Sequence, residues 1–320
     1  MFAIHKIGKP RTLGACAVAG VAALGLLAAA SPAAHGTTRA AAGKPASASR
    51  GASVAVGPQY DTTHVYVQPG EVSAFVSSWE ATFGGTNTAP VTTDVTPAPS
   101  QTISELALSP VGSLSVFGFT TGIPYPFGQE RGGSLVTSMS AGVAAAERSG
   151  ASLVVSPWND PIGKDTIVQF PGGVDLQLYW HTTAPSYAPL ATVPDSRVYL
   201  EPQVAAAFIR DYLAFSQGRV TLDDRQANGA QIGLPGTTFR EVMIDSTFGK
   251  TLVIITNGQL PYPFGLDKTG YQVTNLAATL AKAKAAGAQV LWGPYDGPGL
   301  DSAIVEFPGG YIAEIHQGNV

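Results

Sequence analysis

The chain carries one long stretch twice, and this duplication limits the folds that it can adopt. The first copy begins at Pro124 and the second at Pro261, and the interval from Pro124 to Phe170 equals that from Pro261 to Phe307. Each copy runs through the same motifs in the same order: PYPFG, a helix-like segment closed by a glycine, a proline-containing turn, and FPGG before a final strand. A repeat kept in register without gaps predicts two structural units built on one plan.

The N-terminus has the three-part pattern of an export signal. Three basic residues are followed by an apolar run over residues 13–30 and then by small residues. This order predicts a signal peptide over residues 1–34 and a secreted, extracellular protein, with membrane anchoring by an uncleaved signal as the alternative. The only cysteine, Cys16, lies within this signal, so the mature chain would hold neither a disulfide nor a thiolate.

The charge of the chain argues against polyanionic partners. The net charge is −4, and the lysines and arginines do not cluster after the N-terminus. Nucleic acid and an anionic membrane surface both require a concentrated positive patch. We therefore expect no nucleic acid partner and, after signal cleavage, no membrane partner. The expected partner is a small-molecule ligand, and the sequence leaves the oligomeric state open.

The chain after the signal divides into two domains. Residues 35–58 are mainly Ala, Gly, Ser, Thr and Pro, a composition that predicts a flexible linker because it offers little apolar surface to bury. Residues 59–184 and 195–320 each have the length of one domain. A second linker, rich in Pro, Thr and Ala, separates them at residues 185–194.

Each domain has the pattern of a strand, a helix and further strands, repeated once. In the first domain, residues 62–67 are rich in β-forming side chains, and residues 72–83 place apolar side chains at helical spacing. The second unit is expected to begin with a strand at residues 133–137 and a helix at residues 141–148. In the second domain, Gly287 predicts the left-handed end of the matching helix. Two βαβββ units per domain follow.

The last strand of each domain alternates between apolar and polar side chains. Leu178 lies between Gln177 and Tyr179, so that one face of this strand suits a core and the other is polar. The second domain repeats the alternation around Glu314. A sheet with helices against its apolar face and polar side chains on the other face forms a cup, which predicts a ligand site.

These features together are similar to those of the vicinal oxygen chelate (VOC) superfamily, the group of glyoxalases, bleomycin-resistance proteins and extradiol dioxygenases. The resemblance rests on the paired βαβββ units, the helix ending in Ala-Gly-Ala, the Gly-Pro turn and the strand after Pro-Gly-Gly, and it covers residues 62–317. It implies an α+β fold of two tandem VOC domains, each built of paired βαβββ units that form a half-open sheet cup.

The resemblance also implies where a metal would bind. Metal-dependent members hold a divalent ion through the first, fifth and last strands, usually with His, His and Glu. The matching positions hold His64, Arg131 and Gln177 in the first domain, and Arg197, Lys268 and Glu314 in the second. Because a protonated guanidinium or ammonium group offers no lone pair, neither set is an intact metal site. The implied cofactor is either none or a divalent metal (Zn, Ni, Fe or Mn) held by His64, Gln177 and Glu314.

Several roles stay open for these side chains. His64 is a candidate general base, a metal ligand or a hydrogen-bonded wall residue, and Glu314 is the second candidate catalytic residue. Arg197, Lys268 and Glu314 are expected to form an ion-pair cluster. This cluster is either a plug or, through surplus positive charge, a receptor for a ligand carboxylate or enolate. The candidate ligand-binding residues are Tyr66, Arg131, Gln177, Tyr179, His181, Arg197, Tyr199, Lys268 and His316.

The two PYPFG segments have two interpretations. Their aromatic side chains either line the mouth of each cup or pack in the core, with the prolines stiffening a connecting segment. The side chains concerned are Tyr125, Phe127, Tyr262 and Phe264.

The sequence therefore predicts a secreted glyoxalase-like protein that binds a small organic molecule in the sheet cup, with an incomplete metal triad. One alternative is a metal-dependent lyase, isomerase or dioxygenase of the glyoxalase type, with ligands from both domains. Another is a non-catalytic extracellular structural module. Whether the protein is an enzyme stays open. The sequence contains no Gly-x-Ser-x-Gly elbow, phosphate-binding glycine loop or His-Glu-x-x-His motif.

Overall fold

The computed structural model describes residues 54–123 and 128–318. The expected signal peptide, most of the first linker, Tyr125 and Phe127 lie outside the described residues. No helix in the described ranges is both long enough and apolar enough to span a membrane.

The first domain follows the expected order of a strand, a helix and further strands, repeated once. Its elements are β1 (Asp61–Tyr66), α1 (Val72–Phe83), β2 (Thr86–Asn87), β3 (Val91–Thr93), β4 (Thr102–Ser109), β5 (Gly112–Phe119), β6 (Glu130–Leu135), α2 (Met139–Arg148), β7 (Ser152–Asn159), β8 (Gly163–Phe170) and β9 (Val174–His181).

The second domain repeats this order. Its elements are β10 (Asp195–Leu200), α3 (Pro202–Ser216), β11 (Arg219–Asn228), β12 (Thr238–Ser246), β13 (Gly249–Ile255), β14 (Lys268–Gln272), α4 (Leu276–Ala285), β15 (Gln289–Gly297), β16 (Leu300–Glu306) and β17 (Ile312–Gly318). A short 3-10 helix, Gly229–Ile232, follows β11.

Local patterns placed both helices of the first domain close to their observed bounds, and the helix expected at residues 141–148 begins two residues earlier, at Met139. The helix expected at residues 72–83 is confirmed at its bounds, because its apolar spacing and the glycine after it are both local signals. The strand expected at residues 133–137 is shifted: β6 begins earlier, at Glu130. Its start is set by backbone pairing with β1, and the glycines near Arg131 carry no strand pattern that would reveal it.

Each domain forms one mixed sheet that curls around its inner face. The strand orders are β2-β4-β5-β1-β6-β9-β8-β7 and β11-β12-β13-β10-β14-β17-β16-β15, and β3 also pairs with β4. The first strands of the two units pair antiparallel at the centre of each sheet. Each first strand also runs parallel to the last strand of its own unit. This arrangement confirms the α+β fold of two tandem half-barrel domains with paired βαβββ units.

Side chains and glycines define the ends of the helices in the duplicated stretch. Helix α2 is capped by Ser138, whose Oγ accepts a hydrogen bond from the backbone N–H of Ala141 at 3.4 Å. Helix α4 is capped in the same way by Asn275, with a distance of 2.9 Å to the N–H of Ala278. Gly287 follows α4 with φ of 90°, as the sequence predicts, because the chain reverses there in a conformation that side chains disfavour.

The helices lie in cores that the two domains build together. One core combines α1 and the first strands of the first domain with the second unit of the second domain, and Trp79 lies 5.1 Å from Phe307 between ring centroids. The other core combines the second unit of the first domain with α3 and its strands, where Phe170 lies 5.4 Å from Phe215. The helix-bearing face of each domain therefore packs against the other domain of the same chain.

The inner face of the second sheet carries a hydrophobic cluster of its own. Met243, Leu252 and Ile254 contribute from β12 and β13, and Ile232 and Phe264 pack over them from the connecting segments. The core interpretation of the second PYPFG segment therefore holds for Phe264, which is buried, whereas Tyr262 is 67 % exposed.

Both linkers have residues that contact the first domain. Residues 54–58, which the sequence assigns to the flexible linker, lie along the end of β6, where the N–H of Gly57 donates to the carbonyl of Leu135 at 3.2 Å. In the second linker, the N–H of Leu190 donates to the carbonyl of Gln59 at 2.8 Å. These contacts place part of the second linker, including Tyr187, beside the inner face of the first sheet.

Candidate functional site in the first-domain cup

A cavity of about 370 Å³ lies inside the curl of the first sheet. Its volume is within the range of about 300–1,000 Å³ that small-molecule sites occupy. Aromatic and aliphatic side chains form most of its walls, and Trp158 and Phe117 lie on opposite halves of the sheet. The structure brings six of the sequence-predicted site residues to this one cavity: His64, Tyr66, Arg131, Gln177, Tyr179 and His181.

A chain of hydrogen bonds links three polar side chains of this cavity. Arg131 donates to Gln177 Oε1 through Nη2 and through Nε, the latter at 2.8 Å. Gln177 in turn donates from Nε2 to Asp165 Oδ1 at 2.9 Å. Burial, followed by the nearby Asp160 carboxylate, raises the pKa of Asp165 well above its ordinary value. The Asp165 carboxyl is therefore easier to protonate than an exposed aspartate.

The contacts of His64 are those of a side chain in the cavity wall. Its ring stacks on Phe117 with centroids 5.8 Å apart, and it lies so close over Gly133 that a Cβ there would be 2.8 Å from His64 Cε1. Burial, and secondarily the charge of Arg131, lowers the pKa of His64 to about 3. The imidazole is therefore neutral at physiological pH, and a conjugate acid so strong makes it a poor general base.

Asp61, which the sequence analysis did not select, lies beside His64. One carboxylate oxygen accepts from Ser115 Oγ, the other accepts from Tyr187 OH at 3.3 Å, and His64 Nε2 lies 3.9 Å from Oδ2. Burial raises the pKa of Asp61 to about 6. Asp61 is thus a buried carboxylate that is mostly ionised above neutral pH and lines the cavity.

The tyrosines of the cavity are fixed by neighbours on adjacent strands. The Arg131 guanidinium lies 5.4 Å from the centroid of the Tyr66 ring. The Tyr179 hydroxyl accepts a hydrogen bond from the N–H of Tyr60 at 3.2 Å. His64 and Tyr179 lie on β1 and β9, which do not pair directly with each other. Instead, β6 lies between these strands, and the curl of the sheet brings the two rings to 6.4 Å.

The second-domain positions hold a buried ion-pair cluster. Arg197 lies 2.7 Å from Glu314 and 2.8 Å from Asp195, and all three side chains are buried. His316 lies against the same cluster, with Nδ1 3.3 Å from Arg197 Nη2 and Nε2 3.5 Å from Asp195 Oδ1. Burial lowers the pKa of His316 to about 4, which keeps its ring neutral. The expected cluster of Arg197 with Glu314 therefore forms.

The surplus positive charge expected for this cluster is not present. Lys268 does not join Glu314 directly; its Nζ lies 3.4 Å from the Tyr199 hydroxyl and 4.5 Å from the centroid of that ring. Burial lowers the pKa of Lys268 to about 8. Asp195, which the sequence argument left out, adds a second carboxylate, so that the two cations face at least two carboxyl groups. This charge balance favours the plug over the anion receptor.

The three residues proposed as metal ligands do not converge. His64 and Gln177 line the cavity of the first domain, whereas Glu314 lines a separate cavity of about 180 Å³ in the second. The amide oxygen of Gln177 accepts from Arg131, whose charge repels a metal cation. Within the described ranges, no group of three His, Cys, Asp or Glu side chains is placed to hold a metal ion. The residues present therefore do not fit a divalent metal.

Asp61, Asp165 and Asp195 are the site residues that sequence reasoning missed. Asp165 and Ile167 are two residues apart on β8 and therefore share one face, so an inward face on this strand was readable from its pattern. Asp61 and Asp195 stand at the first positions of β1 and β10, where the alternation is too short to assign a face. At the start of a strand, fewer neighbouring residues show the apolar–polar alternation that identifies the buried face.

The likeness of this chain to known proteins is found in solved structures. No protein-family model matches the chain, and no curated protein matches its sequence. Among solved structures, a mutant of 4-hydroxymandelate synthase from Streptomyces coelicolor superimposes with a TM-score of 0.53 at 12 % identity, covering 82 % of this chain and 93 % of that chain.

A second solved structure is a fusion of a xylose isomerase-like TIM barrel with 4-hydroxyphenylpyruvate dioxygenase. It superimposes with a TM-score of 0.51 at 11 % identity over 87 % of this chain, and this chain spans about half of it, 51 %. At such low identity, the likeness is one of fold. The chain has a fold of the vicinal oxygen chelate type, and its activity has to be argued from its own site.

Proposed function

We propose that the protein is a secreted ligand-binding protein that takes up a small, planar, mainly apolar organic molecule in the first-domain cavity without a divalent metal. The observation that carries this proposal is the combination of a cavity of about 370 Å³ with aromatic walls and a few fixed polar groups. Sites for small molecules are typically concave, mostly apolar and furnished with few polar groups that orient the ligand.

The first cup is favoured over the second because the second is largely filled. The cluster around Phe264 and the buried pair of Arg197 with Glu314 occupy the inner face of the second sheet and leave a cavity of about 180 Å³. The first cup has twice this volume. Since the two domains have the same order of strands and helices, the difference in cavity volume comes from their side chains.

A planar ligand suits the arrangement of rings in the first cup. Phe117 stacks on His64 and lies against Tyr66 with centroids 6.0 Å apart. These rings form an aromatic wall along β1 and β5, against which an aromatic or conjugated molecule can pack. The Arg131–Gln177 pair offers donors at the edge of this wall for an acceptor group on the ligand.

The experiment is a ligand screen with two readouts on the purified chain. Trp158 lines the cavity, so its emission should shift when a planar ligand binds, and Trp158→Phe should abolish the shift while calorimetry still detects binding. Phe117→Ala should weaken binding by about tenfold or more, because the stacking wall is lost. The matched control, Phe239→Ala in the second cup, should leave the affinity unchanged.

Two outcomes would overturn the proposal. If no member of a broad panel of planar molecules binds at millimolar concentration, the first cup is not a ligand site, and the structural module gains support. If Zn, Ni, Fe or Mn binds stoichiometrically and His64→Ala removes it, the metal-free interpretation fails and the metal-dependent enzyme replaces it. Metal content is measured by elemental analysis of the protein after incubation with each ion.

A further inference from the structure

Three carboxyl groups lie at one end of the first-domain cavity. Asp61 starts β1, Asp160 lies in the turn before β8, and Asp165 lies near the start of β8, paired with Tyr179. We call this group the acidic end. The N–H of Asp160 donates to the carbonyl of Gly163 at 3.2 Å, which fixes the turn at this level. All three carboxyl-bearing residues line the cavity.

The carboxyl groups of the acidic end are close enough to affect one another. The charge of Asp160 raises the pKa of both Asp61 and Asp165, and the charge of Asp61 also raises that of Asp165. Mutual repulsion of this kind is relieved when a cation binds between the groups. Asp61 accepts two hydrogen bonds, whereas a carboxylate offers about four lone-pair sites. Acceptor capacity therefore remains for a ligand.

The Nδ1 atom of His64, which has no hydrogen-bond partner among the described residues, also favours a ligand that donates hydrogen bonds. His64 is 5 % exposed, lines the cavity, and its Nδ1 has no hydrogen-bond partner among the described residues. The Asp61 carboxylate lies on the Nε2 side of the ring, which favours the tautomer with the proton on Nε2. Nδ1 then carries a lone pair, and a buried acceptor without a partner favours a ligand that brings a donor.

Aromatic rings surround the acidic end as well. Tyr60 and Tyr187 meet edge to face with centroids 5.6 Å apart, and His181 lies 5.3 Å from the centroids of both Tyr60 and Tyr179. Ring faces attract organic cations, and the attraction is stronger when the cation is removed from water. Carboxylates with aromatic rings therefore form a suitable environment for a protonated amine.

The positive charge of the cavity lies toward its other end. Arg131 lies over the ring of Tyr66, the last residue of β1, whereas Asp61 is the first residue of that strand. Arg131 also donates to Gln177, next to Asp165 in the hydrogen-bond chain. The guanidinium therefore lies farther along β1 than Asp61 does, and Gln177 links it to Asp165.

From this arrangement, we propose that the ligand of the first-domain cavity is an aromatic amine whose protonated amino group lies at the acidic end, against the Asp61 carboxylate and beside the His64 ring. This inference rests on the proposed function, and it adds the charge and orientation of the ligand. The aromatic body would stack along Phe117, and the ammonium group would donate to the acidic end.

The test compares three probes with one aromatic body and different charge: 2-phenylethylamine, 2-phenylethanol and 3-phenylpropionate. Calorimetry at pH 8, where Asp61 is ionised, measures the three affinities on the full mature chain. We expect the amine to bind about tenfold or more tightly than the alcohol, since hydrogen bonds to charged groups are stronger than neutral ones. The acid should bind most weakly of the three.

Variants identify the residue responsible. Asp61→Asn should remove most of the advantage of the amine over the alcohol while leaving the alcohol affinity unchanged, so that the alcohol serves as the internal test of folding. Asp160→Asn, at a half-buried position whose side chain accepts from the N–H of Ile162 at 2.9 Å, should reduce the advantage by a smaller factor. The control is Asp223→Asn, an exposed residue paired with Arg240 in the second domain.

The outcomes separate this inference from the proposed function. If the alcohol or the acid binds as tightly as the amine, or if Asp61→Asn weakens all three equally, the amine proposal fails although the cavity remains a ligand site. If none of the three probes binds while other planar molecules shift Trp158 emission, the amine proposal also fails and the proposed function stands. If nothing binds, both fail.

Discussion

Replacing Trp79 by alanine should destabilise both domains, although Trp79 belongs to the first. Its side chain is fully buried, and its ring centroid lies 4.8 Å from that of Tyr271 and 5.1 Å from that of Phe307, both in the second domain. Truncation of a fully buried Trp removes its contacts and leaves a cavity, at a cost of about 3–5 kcal/mol. The lost indole bond to Ser109 adds little, since that hydroxyl still donates to the carbonyl of Gly112 at 2.6 Å.

The assay is urea unfolding combined with hydrogen exchange read by mass spectrometry. The free energy of unfolding should fall by roughly 3–5 kcal/mol, and amide protection should fall together in β5 of the first domain and in β14 and β17 of the second. The control Val91→Ala, at a side chain that is 55 % exposed, should change stability by less than about 0.5 kcal/mol. Unchanged protection of β14 and β17 in Trp79→Ala would refute the reasoning, because it would mean that the domains are energetically separate.

Three further outcomes are expected. Burial raises the pKa of Glu130 from 4.5 to about 7, so the native state holds a proton that the unfolded chain has lost, and stability should decline as pH rises from about 4.5 to about 7. Glu130→Gln should remove roughly 3 kcal/mol of this decline, measured by urea titrations at pH 4 and pH 8, and an equal decline in both proteins would contradict it. Arg197→Met should cost about 3–5 kcal/mol, since it leaves Asp195 and Glu314 as uncompensated buried carboxylates; a calorimetric loss below about 1 kcal/mol would show that the cluster is not a plug. Expressed in a secreting host, the protein should appear in the medium without residues 1–34, as mass spectrometry would establish, whereas retention of the full mass in the membrane fraction would favour the uncleaved anchor.

The fold was readable from the sequence because its signals are local. The helix spacing before Gly84, the glycine after α4 and the alternation around Gln177 each depend on a few neighbouring residues, and the duplication supplied a second copy of each. What covers each apolar face was not readable. Alternation identifies the face of a strand that is buried, but not the element that buries it, so the pairing of α1 with the second domain required coordinates.

The sequence predicted part of the site, namely the residues that lie within strands. His64 on β1, Arg131 on β6 and Gln177 on β9 line one cavity. The prediction of charge in the two cups was incomplete, because that charge depends on residues at strand starts and in turns. Asp61 and Asp195 stand at such positions; Asp61 adds a buried carboxyl group to the first cup, and Asp195 balances the charge of Arg197 in the second.

Each of the two large hydrophobic cores is built from both domains, and this limits how the chain can be divided. Within residues 54–123 and 128–318, each domain has two apolar helix-bearing faces that pack against the other domain, so a cut in the second linker would separate two fragments with complementary apolar faces. Fragments 54–190 and 191–318 should each be aggregation-prone alone and should reassemble when mixed. The same complementarity favours exchange of whole domains between two copies of the chain during refolding at high concentration.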